Sequence, residues 1–267
     1  MTCLIRSAAA FAMLLALSLA ARAAGGDADD VWPSLKKDLF GAREVVEDAA
    51  ALTLEAPYRA EDAAIVPITV HVPAAIAGTV KGLTLVVDKN PMPMVAKLTF
   101  GSAAGSGERV ISTRVRIDMY SNVRAVIETD DGRLLMATKF VKAAGGCSAP
   151  ALKDADDALA QLGKMKLRSL PAQSSATREA QVMVRHPNYS GMQMNQLTGL
   201  YIPAKYVSEM EVKRGSELVF RMEGGISLSE DPNIRFTYGG AAGEALEVTA
   251  KDTDGNVFTA RSEATGS

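Results

Sequence analysis

Histidine and cysteine are nearly absent from this sequence, two of each in 267 residues. No Cys₄, Cys₂His₂ or His₃ zinc site is built from such numbers. A basic surplus is missing too: 29 Lys and Arg stand against 31 Asp and Glu, which leaves no cationic reservoir for duplex nucleic acid. Aromatics make up 5%, with a single Trp. Beyond the first two dozen residues there is no long apolar run, so a multi-span membrane protein is excluded. No Gly-x-Ser-x-Gly, P-loop, dinucleotide fingerprint or His-Glu-x-x-His occurs. What remains is a globular composition, 48% hydrophobic and 22% charged, of a size for one large or two ordinary domains.

The N-terminus reads as a signal peptide over residues 1–23. Arg6 supplies the n-region charge, a charge-free apolar stretch follows from Ala8 to Ala20, and Ala21-Arg22-Ala23 places small residues where a signal peptidase reads. The apolar stretch is too short to cross a hydrocarbon core of ~30 Å as a helix. Export with no membrane insertion after cleavage is therefore expected. Cleavage removes Cys3 and leaves Cys147 as the one cysteine, in a compartment where cysteines are normally paired. An odd thiol there is either a reactive group or half of an intermolecular bridge, including a disulfide-linked dimer.

Residues 31–51 carry a helical pattern of Leu35, Leu39 and Val46 among charges. The period then changes to two. Val66, Ile68, Val70 and Val72 share one strand face, and Leu83, Leu85 and Val87 another; residues 123–129 and 133–141 flank Asp130-Asp131-Gly132, a hairpin signal. Around Ala143 the pattern stops: Gly145-Gly146-Cys147-Ser148 has little to pack. Leu152, Ala155, Ala158, Leu159, Leu162 and Met165 mark a short amphipathic helix, and its Asp154, Asp156 and Asp157 suit a solvated first turn. A polar linker covers residues 169–177. A second strand-rich block follows, with Val182 and Val184, Met210 and Val212, Phe220 and Met222, Ile234 and Phe236, and a hairpin signal at Asp254-Gly255-Asn256. Short strands with close turn signals predict antiparallel sandwiches, and each block suits one sandwich of about 100 residues. The expected fold is all-β, two sandwiches in tandem with an N-terminal helix and a short helical linker. The expected division is residues 1–23, 31–147, 148–177 and 178–263.

Particular motifs carry a resemblance. Asp88-Lys89-Asn90-Pro91-Met92-Pro93 and the closing Gly145-Gly146-Cys147 of the first block resemble SoxY. In the second block His186-Pro187, Gly191, Thr198-Gly199, Ile202-Pro203-Ala204 and Asp231-Pro232-Asn233 resemble SoxZ. The chain is thus similar to a fusion of the two subunits of the periplasmic sulfur-oxidation carrier, as in the SoxYZ-like group associated with quinoprotein dehydrogenases. The resemblance implies two immunoglobulin-like sandwiches in the periplasm. It also implies a non-enzymatic role in thiosulfate or related sulfur oxidation, with intermediates held covalently on Cys147 and no other cofactor. Its implied partners are redox enzymes or cytochromes of a Sox-like or quinoprotein dehydrogenase system.

Such a thiol has to be exposed and ionised, whereas an unperturbed cysteine is only a few per cent thiolate at neutral pH. Lys139, Lys142 and Lys153 lie near it in sequence and are the expected activators; Gly145 and Gly146 are expected to make the arm flexible. In SoxY proteins the cysteine closes the chain, but here more than a hundred residues follow it, so it would enter a partner as a loop. His186, in phase with Val182 and Val184, reads as a histidine at a strand end and a candidate contact. The pairs Met92/Met94 and Met192/Met194 would suit Cu(I), but among 12 Met they are expected by chance, and no metal site is assigned. The competing reading is a non-covalent binding or assembly module for the same dehydrogenase system, with Cys147 incidental.

Overall fold

A computed structural model describes residues 30–150, 155–170, 177–240 and 244–262. The signal-peptide expectation for residues 1–23 and the activating role expected of Lys153 lie outside them. Among the described residues fifteen strands form two sheets. In chain order they are β1 (Val45–Glu47), β2 (Thr53–Glu55), β3 (Val66–Val72), β4 (Val80–Val87), β5 (Met94–Phe100), β6 (Arg109–Val115), β7 (Ser121–Thr129) and β8 (Leu134–Val141) in the first block. The second block holds β9 (Met165–Leu170), β10 (Arg178–Val184), β11 (Val207–Arg214), β12 (Glu217–Gly224), β13 (Asn233–Tyr238), β14 (Leu246–Asp252) and β15 (Val257–Arg261). The alternation predicted for β3 is the alternation found: Val66, Ile68, Val70 and Val72 are buried, and Pro67 is exposed between them. Both hairpin signals join antiparallel neighbours, β7 to β8 and β14 to β15.

The two blocks are continuous with one another. One sheet runs β1-β8-β7-β4-β5-β12-β11-β14-β15 and the other β2-β3-β6-β13-β10-β9. The seams are β5 against β12, from Phe220 opposite Phe100 to Gly224 opposite Ala96, and β6 against β13 at Ser112 and Ile111. Each block therefore covers two edges that the other would expose, β5 and β6 on one side and β12 and β13 on the other. One hydrophobic core spans both: Ile68, Leu85 and Ile111 belong to the same cluster as Val182, Val212 and Phe236. Phe220 and Phe236 meet edge to face across the sheets, with centroids 5.0 Å apart.

Two expected elements differ. The helix over residues 31–51 is only α1 (Trp32–Phe40), because Gly41 follows at φ 67°, a left-handed turn that stops it. Val45–Glu47 then pairs parallel with β8. Trp32 and Phe40 cover Val126, Leu134 and Met136 on the outer face of the larger sheet, and the Arg124 guanidinium stacks 4.2 Å from the Trp32 ring centroid. Short helix α2 (Ala74–Ala77) leads into β4. The linker helix is α3 (Ala155–Ala160), and Met165, assigned to it from the sequence, instead starts β9. There Met165 and Leu167 pack on the core while Lys166 and Arg168 face water, a period of two that a short helical window absorbed.

Candidate functional site

Cys147 follows β8 at the junction of the two blocks. Gly145, at φ 77°, turns the chain; its N–H donates to Asp118 O (2.8 Å), and the Gly146 N–H donates to Ile117 O (3.0 Å). Gly146 is pressed against backbone: a Cβ there would lie 2.6 Å from the Ala63 carbonyl carbon and 2.7 Å from Ile117 O. The Cys147 N–H reaches Asp118 Oδ1 at 3.3 Å. The cysteine is free and completely buried. The projecting, flexible arm expected from the glycines is thus replaced by a seated turn, and the glycines serve close approach rather than freedom.

Both peptide carbonyls flanking the cysteine Cα are held by side chains from elsewhere. Arg116, 1% exposed, donates through Nη1 to Gly146 O (3.1 Å) and through Nη2 to Asn188 O (3.4 Å). Ser190, buried in the second block, donates its hydroxyl to Cys147 O. Its own N–H is fixed by Gln193 Oε1 at 2.8 Å. Beneath lies Asn90, whose Nδ2 donates to Arg116 O (2.7 Å) and Ser227 Oγ (2.9 Å) while its Oδ1 accepts from the Asp118 N–H (2.9 Å). The Asp88-Lys89-Asn90 motif accordingly builds the seat: Asn90 positions Arg116 and Asp118, and Asp88 pairs with buried Arg124 at 2.8 Å.

Burial pushes the Cys147 thiol up to about 12; the Asp118 carboxylate adds to the rise and Arg116 opposes it. Lys142, one expected activator, stacks on the Tyr58 ring at 4.8 Å. The cation acting on the thiol is Arg116, which burial lowers and which Cys147, Glu230 and Asp62 hold up in return. Sequence proximity pointed to the lysines; Arg116 lies just past the end of β6, 31 residues earlier, and the one signal for it was a charged residue alternating with the apolar Val115 and Ile117.

His186 is buried at the end of β10. Its Nδ1 accepts the Asn188 N–H (3.0 Å), so Nε2 carries the proton and faces Asp252 Oδ2 at 3.5 Å. The Asn188 carbonyl accepts from Arg116, which links this pair to the cysteine seat. Burial holds the His186 pKa below its ordinary 6.5; Asp252 opposes this and Lys205, 3.9 Å from Asp252, assists it. As the pH falls below about 6.5, the unfolded chain takes up a proton that the folded chain refuses. Stability is expected to be complete above that value and to decline through the window beneath it. Denaturant midpoints at pH 7.5 and 5.5 check this, and in His186→Gln the decline should shrink.

Comparison with known proteins follows the same division. Residues 36–147 match the family model described as sulfur oxidation protein SoxY, and residues 165–263 match that of sulphur oxidation protein SoxZ. Among solved structures, the sulfur carrier protein SoxY from Chlorobium limicola f thiosulfatophilum is 27% identical, covering 42% of this chain and 91% of its own, with a TM-score of 0.35. A beta-glycosidase from Bacteroides vulgatus is 8% identical over 80% of this chain and 25% of its own, with a TM-score of 0.24. No curated protein matches.

Proposed function

The chain belongs to the SoxY and SoxZ families, sulfur-oxidation carriers, with both domains in one polypeptide, and we propose that it is a periplasmic carrier that holds a sulfur intermediate covalently on Cys147. The observation that carries this reading is where the SoxY match ends: its last residue is Cys147 itself. Around that residue the structure concentrates the motifs of both families, Asn90 from the first and the segment after His186 from the second.

In this reading the protein supplies a handle and its partners supply the chemistry. Loading joins Cys147 Sγ to the sulfur of a reduced sulfur compound; the thiol proton leaves to solvent and two electrons pass to a periplasmic redox enzyme or cytochrome. A thiol held near 12 is a poor nucleophile at neutral pH, so the closed seat protects Cys147 and loading takes place with the turn lifted. Intact mass spectrometry of protein taken from its native periplasm tests the reading. An adduct confined to Cys147 and lost in Cys147→Ser, together with loss of sulfur oxidation, is expected. A thiol unmodified under every growth condition overturns it.

Complete burial of Cys147 favours a second reading, a non-covalent binding or assembly module for a periplasmic quinoprotein dehydrogenase system. The same substitution separates the two. Cys147→Ser with full activity and full partner recovery in a pull-down selects the module.

A further inference from the structure

Residues 187–204 contain no Asp, Glu, Lys or Arg, eighteen consecutive uncharged positions in a chain that is 22% charged. Their outer part is a built hairpin. Met194 bridges Tyr201, the Asn195 N–H donates to Leu200 O (2.9 Å), and the Gly199 N–H returns to Asn195 O (2.8 Å). Asn195 Oδ1 accepts the N–H groups of Leu197 (2.9 Å) and Thr198 (3.1 Å), which sets the tip. On this ordered frame Leu197 is 96% exposed, Leu200 and Tyr201 68% each, and Met194 43%. Scattered apolar residues on a surface need no explanation, but four on one uncharged hairpin form a patch that water solvates poorly.

The hairpin is joined to the cysteine seat by a chain of three hydrogen bonds. At its base the Ile202 N–H donates to Gln193 O (2.8 Å). The Gln193 side chain in turn holds Ser190, whose hydroxyl caps the Cys147 carbonyl. A displacement of the hairpin therefore acts on the group that closes over the thiol.

We infer that this hairpin is the docking element for the protein that loads or unloads Cys147, an apolar peg received by an uncharged, apolar cleft on that enzyme. The inference rests on the carrier reading above and adds to it the surface and the partner's chemistry. Absence of charge is what such a cleft selects, since an ion buried there without a counter-ion loses its hydration and gains no partner. Leu197 and Leu200 are the anchors, and seating them draws Gln193 and Ser190 away from Cys147.

The test uses the full chain produced in its native host, comparing wild type with Leu197→Asp/Leu200→Asp. Val257→Asp, at a position 60% exposed on β15, controls for added surface charge. Expected are a Cys147 adduct at least tenfold scarcer in the double variant, an unchanged melting midpoint, an unchanged rate of Cys147 alkylation by N-ethylmaleimide in the purified protein, and normal loading of Val257→Asp. Loading of the double variant within twofold of wild type overturns the inference. Should the aspartates lower the midpoint, Leu197→Ser/Leu200→Ser repeats the comparison under the same criterion. A concentration-dependent dimer in sedimentation that the double variant abolishes assigns the hairpin to a second copy and overturns it equally. A wild-type protein without adduct removes the carrier reading and this inference together, whereas a loaded wild type beside a loaded variant removes this inference alone.

Discussion

Gly146→Ala is expected to cost the fold about 3 kcal/mol and to lift the Cys147 turn from its seat. The added Cβ meets the backbone of Ala63 and Ile117, and neither is the movable end of a side chain. Both belong to the seat: the Ile117 N–H donates to Ala63 O (2.8 Å), and Ile117 is buried in the common core. The new methyl therefore cannot be accommodated by a rotamer change. Gly145→Ala makes a sharp contrast. Its nearest neighbour to a Cβ is Ser148 Oγ at 4.0 Å, so only the positive φ opposes it, at roughly 1–2 kcal/mol. Urea midpoints of the two variants check the ranking. N-ethylmaleimide should modify Cys147 more than tenfold faster in Gly146→Ala than in wild type, since a thiol returned to water regains an ordinary pKa. Equal midpoints for the two alanine variants would show that residues 145–147 are not seated as described.

Arg116→Met is expected to destabilise the protein by about 3–5 kcal/mol, the loss associated with removing one member of a buried charge group. Methionine fills part of the volume but leaves the Gly146 and Asn188 carbonyls without their donor. It also withdraws the cation that faces Glu230 and Asp62. Because Gly146 belongs to the first block and Asn188 to the second, the guanidinium is a cross-link between them, and both sides of the seam should loosen together. Arg116→Lys keeps the charge but not the planar fork, and an intermediate loss is expected. Chemical denaturation of the three proteins at pH 7 measures the series. A loss below about 1 kcal/mol in Arg116→Met would remove Arg116 as the post on which the site is built.

Much of the framework was readable from residue order. The strands β3 and β4 announce themselves by alternation, and the two Asp-Gly turns stand where the β7–β8 and β14–β15 hairpins form. Motif resemblance identified both families and picked out Cys147, since those residues are contiguous or nearly so. The errors arose where a local pattern was ambiguous. Met165 fits a helical window as well as it fits a strand, and the apolar spacing around α1 continued past a glycine that ends the helix.

What the sequence alone determined is therefore the all-β class, the inward face of β3, the two hairpins, the family and the cysteine, because alternation, turn chemistry and motif spacing act between near neighbours in the chain. Only the tertiary structure decided that the two blocks share both sheets, that a glycine pair which reads as slack is a tight seat, and that the cation beside the thiol is Arg116 rather than a nearby lysine. It also placed Ser190, 43 residues further along, over the cysteine. Burial and electrostatic environment are sums over all segments that converge on a point. At Cys147 those segments come from residues 63, 90, 116–118 and 188–193, which no window along the chain brings together.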